Sequence, residues 1–289
     1  MSEGSFPTPK KNIRVAFPPG HYYSPIVDPA QAERFLKKVD FNIHSLPGIE
    51  IDERGMLDLW RSFSNLLSSQ PFPDDREQGH LYWFNNPAFS YGDGTLLYCM
   101  LRRFSPRRLV EIGSGYSSAC MIETAEKFFN VPSAFTFIEP NPELLRSLIS
   151  GDDSQQEVEL IAREVQATPL SLFSSLNRDD FLFIDSTHVL KTGSDVCFIL
   201  FDILPLLKPG VIIHFHDIFW PFEYGPEWVV DENRSWNELY ALRAFLSYNK
   251  EFEVLFFSDY FRRFYAEELT RLVPWVAKNS GGSIWLRRR

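Results

Sequence analysis

The chain has 289 residues, 44% of them hydrophobic, and can bury a sizeable core as one large domain or as one domain with an appendage. Its formal net charge of −9 excludes a general nucleic-acid binder, because such a protein needs a basic face to displace counterions. No run approaches the ~18 apolar residues of a membrane span, and no apolar leader opens the chain. The cysteines lack metal-ligand spacing. We therefore expect a cytoplasmic protein without nucleic-acid or membrane partners.

The first third of the chain predicts helices but no separate folding unit. Hydrophobic residues recur at helical spacing over 55–69, and shorter helical stretches cover 31–39 and 95–103. No linker-like composition separates this part from the rest of the chain. We therefore predict an N-terminal extension and helical cap over 1–93, followed by the main domain over 94–289.

From residue 108 onward, short apolar runs alternate with helical stretches, which predicts an α/β fold with a doubly wound, mostly parallel sheet. The predicted strands cover 108–112, 135–138, 158–161, 181–184, 211–215, 253–257 and 283–286. The predicted helices cover 117–128, a stretch opened by Asn141-Pro142, 194–207, and a stretch that begins at Ser235. In the last of these, Ser235 and Glu238 have the spacing of a capping box.

The first predicted strand turns into its helix through two glycines spaced by one residue. The turn reads Glu111-Ile112-Gly113-Ser114-Gly115, and Ser117 and Ser118 follow it. Glycine suits this turn because the backbone must bend sharply and let a ligand approach without meeting a Cβ. The helix N-terminus beyond it offers free amides. The motif indicates a nucleotide site, and an ordinary strand–turn–helix without a ligand is the alternative.

Two classes of nucleotide ligand use such a turn. Dinucleotide folds place a pyrophosphate on the helix N-terminus and prefer a third glycine or alanine where this chain has Ser118. The carboxylate of Glu111 would repel a pyrophosphate, but it suits a ligand that carries an ammonium or sulfonium charge. S-adenosylmethionine carries both charges. The sequence therefore favours it, and an NAD(P)-dependent oxidoreductase remains the alternative enzyme class.

Acidic and imidazole side chains follow the strands at the sheet edge where ligands bind. Glu139 ends the second strand, Asp185 follows the fourth, and the pair His216-Asp217 ends the fifth. An acid at the position of Glu139 accepts both ribose hydroxyls of a nucleoside, whichever cofactor contains it. A simple charge at a helix N-terminus is the alternative for Glu139.

Four motifs together resemble the class I S-adenosylmethionine-dependent methyltransferases, in particular their small-molecule O-methyltransferase-like branch. They are the Glu111-x-Gly113-x-Gly115 turn, the Glu139-Pro140 strand end, the run Phe183–His188 and the run Leu207–Asp217. The resemblance covers most of the chain from about residue 90. It implies a seven-stranded sheet whose last strand runs antiparallel, and an S-adenosylmethionine-binding methyltransferase domain over 94–289.

The resemblance also implies which residues hold the cofactor. They are Glu111, Gly113, Gly115, Ser117, Ser118, Glu139, Pro140, Gln166 and Asp185. The first three would line the methionine side, Glu139 the ribose, and Gln166 the adenine. Ser117 stands where many members have a third glycine, and its hydroxyl would bond the cofactor carboxylate.

Methyl transfer needs an acceptor atom aligned with the S–CH3 bond and a group that removes its proton. The candidate catalytic residues are His216, Asp185, Asp217 and His188. His216 is the natural general base, because a neighbouring carboxylate raises its ordinary pKa of ~6.5 toward neutrality. A divalent metal such as Mg²⁺ on Asp185 and Asp217 would lower the pKa of a hydroxyl acceptor, although His216 stands where metal-dependent relatives carry another acid.

The acceptor is less clearly indicated. The aromatic loop that follows Asp217, residues 218–228, suits an apolar acceptor pocket, a cover for the sheet edge or a dimer contact. Arg262 and Arg263 either contact an anionic acceptor or lie on a solvated face. We expect methylation of a hydroxyl on a small molecule or sugar-derived acceptor. A nucleoside-binding module without catalysis is the non-enzymatic alternative, and the sequence is compatible with a homo-oligomer.

Overall fold

The computed structural model describes residues 14–150 and 156–289, and its centre is a seven-stranded sheet in the order β3-β2-β1-β4-β5-β7-β6. The strands are β1 (Arg108–Ile112), β2 (Ala134–Ile138), β3 (Glu157–Ile161), β4 (Phe181–Ile184), β5 (Ile212–His216), β6 (Phe252–Phe257) and β7 (Ser283–Arg288). β1 to β5 pair in parallel, whereas β7 runs antiparallel to both β5 and β6. The predicted doubly wound, mostly parallel sheet is confirmed, with its antiparallel last strand.

Helices flank the sheet and build the amino-terminal part. They are α1 (Pro29–Leu36), α2 (Glu53–Ser62), α3 (Ser64–Leu67), α4 (Tyr91–Phe104), α5 (Tyr116–Phe128), α6 (Glu143–Leu148), α7 (Leu170–Ser174), α8 (Asp195–Phe198), α9 (Glu238–Leu246), α10 (Ser258–Phe264) and α11 (Ala266–Leu272). Tighter 3₁₀ turns cover Val165–Ala167, Leu204–Leu206 and Pro274–Ala277, and wider π-helical turns cover Ile199–Ile203 and Glu227–Asp231. The helix predicted over 194–207 is therefore a run of short pieces. No helix in the described ranges is long and apolar enough to cross a bilayer.

The strand order fixes where a ligand can bind. After β1 the chain continues to β2 and β3 on one side of the sheet, and after β4 it continues to β5 on the other side. The topological switch point therefore lies between β1 and β4. The central strands β4 and β5 are buried throughout, which explains their continuous apolar runs, while the edge strand β3 is largely exposed. Because β5 and β6 both pair antiparallel with β7, their carboxyl ends reach the same rim of the sheet.

Helix α4 begins earlier than predicted, before the end of the predicted amino-terminal extension. Its first turn contains Gly92 and Gly94, which precede the helical stretch predicted over 95–103. A Cβ on Gly92 would lie 2.2 Å from the carbonyl carbon of Ser280, and one on Gly94 would lie 2.0 Å from the hydroxyl of Tyr82. These glycines serve close packing inside a helix. Helix α4 therefore spans the boundary predicted between residues 93 and 94.

The amino-terminal part packs on the carboxyl-terminal third of the chain. The Trp60 indole N–H donates to the Glu268 carbonyl at 3.1 Å, and the Trp220 indole N–H donates to the Ile43 carbonyl at 2.6 Å. The Tyr260 hydroxyl donates to Glu53 at 2.7 Å. One hydrophobic core therefore continues from this part into the sheet. Residues 1–13 of the predicted extension lie outside the described residues.

Candidate active site at the strand ends

The turn between β1 and α5 can be built only with glycine at its first glycine position. Gly113 has a φ of +84°, and a Cβ there would lie 1.8 Å from the carbonyl oxygen of Asp185. Its amide N–H donates to the Ile138 carbonyl at 3.0 Å. The turn is thus held against the ends of both neighbouring strands, β2 and β4. Gly115 has extended backbone and caps the N-terminus of α5.

Glu111 lies beneath this turn and not in a cavity. Its carboxylate is fully buried and accepts hydrogen bonds from the hydroxyls of Ser117, at 2.5 Å, and Ser118. Burial raises the pKa of Glu111 to about 8, with the two hydroxyls opposing the shift and the charges of Asp185 and Glu139 adding to it. The side chains of Glu111, Ser117 and Ser118 therefore brace the turn through their own hydrogen bonds, and their contact with a cofactor stays a prediction. Burial therefore disfavours the charged form of this carboxyl.

Replacing Glu111 with glutamine should make the stability difference from the wild type depend on pH. The unfolded carboxyl ionises near 4.5 and the folded one near 8, so rising pH favours the unfolded wild type within that window. The amide can still bond both serines. Relative to the wild type, Glu111→Gln should gain up to about 1.4 kcal/mol of unfolding free energy per pH unit between these limits. Urea unfolding across the window measures this, with the exposed Glu157→Gln as control; a constant difference would contradict it.

A cavity of about 420 Å³ lies at the switch point and contains much of the predicted cofactor set. Gly113, Glu139, Pro140, Gln166 and Asp185 all line it. Glu139 accepts the Asn141 amide N–H at 2.8 Å, and burial raises its pKa. The Gln166 amide donates to the Gly193 carbonyl at 2.8 Å. These side chains are therefore oriented by local hydrogen bonds.

The loop after β4 supplies wall residues that the sequence analysis missed. Thr187, Lys191 and Asp195 line the same cavity. The Thr187 hydroxyl donates to Asp195 at 2.6 Å and its amide to the other carboxylate oxygen at 2.9 Å. Their positions depend on how this loop folds back onto α8, and no motif in the sequence signals that path.

A larger cavity of about 970 Å³ adjoins the first. Asp185, Ser186 and Thr187 line both cavities, so they form a shared wall. His188, His216 and Asp217 open onto the larger cavity only. The structure thus brings the predicted catalytic residues together where the two cavities meet.

Imidazole and carboxylate groups alternate at this junction. The Nε2 atom of His188 lies 3.5 Å from Asp185 Oδ1 and 3.6 Å from Asp217 Oδ2. The Nε2 atom of His216 lies 3.7 Å from Asp217 Oδ1. One possible ligand atom from each of Asp185, His216 and Asp217 falls within 4.8 Å of the others. Burial works against ionisation of Asp185, but the imidazoles of His216 and His188 hold its pKa below the ordinary value.

His188 has a partner that sequence reasoning missed. Its Nδ1 lies 2.8 Å from Glu238 Oε2, and the Ser186 hydroxyl donates to the other oxygen at 3.1 Å. Both His188 and Glu238 are buried. Burial opposes protonation of the imidazole, yet the carboxylates of Asp185 and Glu238 raise the pKa of His188 to about 10. Glu238 therefore fixes the orientation of this ring.

The same contact explains why the predicted capping box is wrong. The side chain of Glu238 faces His188 and does not return to Ser235, whose φ is +52°. The helix begins at Glu238, where the His188 carbonyl accepts the amide N–H groups of Asn237 at 3.0 Å and Glu238 at 3.1 Å. The backbone of the active-site loop thus caps α9.

His216 is held differently. Its Nδ1 makes no hydrogen bond within the described part of the chain and lies 4.0 Å from Asp93 Oδ1. Burial works against its protonation, but Asp185, Asp217 and Asp93 raise the pKa of His216. Burial in turn raises the pKa of Asp93 to about 6. The sequence analysis missed Asp93 because this residue lies in the first turn of α4, before the helical stretch predicted over 95–103.

The aromatic loop after Asp217 divides its residues between core and cavity. Trp220, Phe222 and Tyr224 are buried in the core, whereas Phe219 and Trp228 line the larger cavity. The loop therefore combines two of the three predicted roles, pocket wall and cover of the sheet.

Comparison with known proteins adds an independent observation. Residues 110–218 match the model of a family described as a methyltransferase domain. An uncharacterized protein of Archaeoglobus fulgidus is 29% identical over 176 residues, which cover 58% of this chain and 77% of that protein.

Solved structures with similar chains include methyltransferases. The SAH-bound methyltransferase PaMTH1 of Podospora anserina is 16% identical with a TM-score of 0.45, covering 90% of this chain and 94% of that one. The O-methyltransferase of Bacillus cereus in complex with SAH is 14% identical with a TM-score of 0.43, covering 90% and 97%. SAH is a ligand of those two proteins.

Proposed function

We propose that this chain is a class I S-adenosylmethionine-dependent methyltransferase, as the methyltransferase-domain match over residues 110–218 and the sheet topology support, and that it methylates a hydroxyl of a small-molecule or sugar-derived acceptor. The observation that supports the acceptor type is the junction of the two cavities at Asp185. A methyl donor in the smaller cavity would direct its reactive carbon toward an acceptor in the larger one. Proton-accepting groups at that junction suit an acceptor that must lose a proton, as a hydroxyl does.

We assign the general base to His188 in its neutral form, which the raised pKa of about 10 makes the minor form at neutral pH, and a positioning role to Glu238. A base is recognised by an orienting partner on one side and a reacting group on the other. The Nδ1 of His188 is held by Glu238 at 2.8 Å, so its Nε2 faces Asp185 and Asp217 at the junction. His216 lacks such a partner within the described residues. The proposal therefore moves the base from His216 to His188.

A divalent metal fits the donor atoms of Asp185, His216 and Asp217. Two carboxylates and one imidazole within 4.8 Å suit an ion that accepts nitrogen as well as oxygen, such as Mn²⁺ or Zn²⁺, better than Mg²⁺. Bound there, the metal would polarise an acceptor hydroxyl and offset the carboxylate charge that raises the pKa of His188. The protein's own part is to hold the acceptor oxygen near Asp185 and to receive its proton at His188 Nε2.

The size and lining of the larger cavity support a small acceptor. About 970 Å³ accommodates a molecule of drug size, and Phe219, Trp228 and Trp236 give its wall an apolar part. Incubation with S-adenosylmethionine labelled in its methyl group and a set of small phenols, sugars and amines tests the proposal. Label on an oxygen of a small product supports it. Label only on nitrogen, on protein or on nothing refutes the hydroxyl proposal.

Removal of the Glu139 carboxylate should weaken the binding of S-adenosylhomocysteine. Glu139 lines the smaller cavity at the end of β2, where it can accept the ribose hydroxyls. Glu139→Ala should cost about 1.5–3 kcal/mol, the value of hydrogen bonds to a charged group. Calorimetric titration measures this loss. Glu143→Ala, at the first residue of α6, removes a neighbouring acid as control; equal affinity in both variants would exclude Glu139 from the site.

A further inference from the structure

Two arginines reach the rim of the larger cavity through the strand order. Because β5 and β6 end at the same edge, helix α10, which follows β6 directly, begins beside Asp217. Arg262 and Arg263 of α10 line the same cavity as His188 and His216. They therefore lie on the wall of the larger cavity, as the alternative of contact with an acceptor requires.

These two guanidinium groups share one carboxylate. Arg262 donates to Asp259 Oδ1 from Nη2 at 2.6 Å and from Nε at 3.1 Å. Arg263 donates from Nε to Oδ2 at 2.8 Å. Asp259 is buried and also accepts the Trp220 amide N–H at 3.0 Å. Two positive charges thus face one negative charge, which leaves one positive charge in excess.

The shared carboxylate also leaves hydrogen-bond donors free. Within the described residues, Arg262 Nη1 and both terminal nitrogens of Arg263 make no hydrogen bond. Asp259 holds both side chains in place, because each is fixed by its Nε atom. Held guanidinium groups with free N–H donors match the oxygens of a carboxylate or a phosphate.

Outside the junction, the other charged groups of this wall are Arg234, Glu223 and the exposed Glu227. The guanidinium carbon of Arg234 lies 4.0 Å from the ring centre of Trp228 and 4.6 Å from that of Trp236, and Arg234 pairs with Glu232. Glu223 accepts the hydroxyl of Tyr240. The excess charge is therefore local to Arg262 and Arg263.

From this arrangement we propose that the acceptor carries an anionic group, carboxylate or phosphate, which Arg262 and Arg263 bind while its hydroxyl lies at the junction with Asp185. The inference rests on the proposed function and adds the substrate class. An anion held at one end of the cavity would fix the register of the acceptor, because the hydroxyl must reach the methyl donor at the other end.

The test measures binding without methyl transfer. The full chain, saturated with S-adenosylhomocysteine, is titrated with benzoate, phenyl phosphate and benzyl alcohol as probes. At least one anion should bind about tenfold more tightly than the neutral alcohol. Comparing benzoate with phenyl phosphate then identifies the anion type. Should neither anion bind more tightly than benzyl alcohol, the proposal is overturned.

Variants locate the anion. Arg262→Gln combined with Arg263→Gln should abolish the preference for the anion and leave S-adenosylhomocysteine affinity unchanged. Arg271→Gln on α11, which removes an arginine paired with Glu268 outside the cavity, should keep the preference. An anion preference that survives the double substitution overturns the assignment. Failure to bind S-adenosylhomocysteine in the wild type would instead contradict the methyltransferase site, and the probe titrations would still report on the arginines.

Discussion

Asparagine in place of His188 should lower methyl transfer about 10²-fold to 10⁴-fold and leave cofactor affinity within a factor of about three. The reason is that Nε2 of His188 faces the junction of the two cavities while Glu238 fixes Nδ1. Asparagine tolerates the φ of +59° at this position, but its amide cannot accept the proton of the acceptor hydroxyl. Single-turnover transfer from labelled S-adenosylmethionine, with the acceptor found in the product screen, measures the rate.

Two further variants interpret that result. Glu238→Gln leaves the imidazole in place but weakens its orientation, so the rate should fall by about 10-fold to 100-fold, the usual effect of an orienting partner. His80→Gln removes an imidazole that pairs with Glu123 outside both cavities, and it should leave transfer unchanged. If His188→Asn transfers the methyl group as fast as the wild type, the base lies elsewhere, with His216 the next candidate.

Alanine in place of Gly113 should destabilise the protein by about 3 kcal/mol and abolish S-adenosylhomocysteine binding. Two costs add here. The φ of +84° is unfavourable for any residue with a Cβ, and that Cβ would lie 1.8 Å from the Asp185 carbonyl oxygen. Relief of the overlap must separate β1 from the end of β4, and this movement displaces the wall shared by the two cavities. Urea unfolding and calorimetric titration measure the two effects.

Gly79→Ala separates the two costs. Gly79 has a φ of +87°, but a Cβ there would meet no atom within 4 Å. Its replacement should cost only the backbone term of about 1–2 kcal/mol. The difference between the two variants then gives the cost of the close approach. Equal losses in both would mean that the contact with Asp185 relaxes freely.

The sequence predicts the sheet well because its central strands are buried on both faces. Such strands appear as continuous apolar runs, as in Phe181–Ile184, and the polar residue that ends each run marks the ligand edge. Glu139 and Asp185 were located in this way. Gly113 was recognised from the local chemistry of a tight turn, which needs no knowledge of distant contacts.

The residues that the sequence could not predict depend on contacts between distant segments. Glu238 lies fifty positions after His188, and only the folded loop after β4 brings the two side chains together. Asp93 belongs to a helix whose glycines imitate a loop. Glu111 was placed on the correct strand, but its hydrogen bonds with Ser117 and Ser118 were not foreseen, because its charge was considered without these partners.

The two cavities are lined largely by different segments of the chain, and this has an evolutionary consequence. The smaller cavity is lined by residues between Ile112 and Asp195. Most of the residues that line the larger cavity lie between His216 and Gly282. With the methyl donor in the smaller cavity, as proposed, mutations in the later segment would leave the donor site unchanged. Related proteins with this arrangement could therefore change their acceptor specificity while keeping the same donor site.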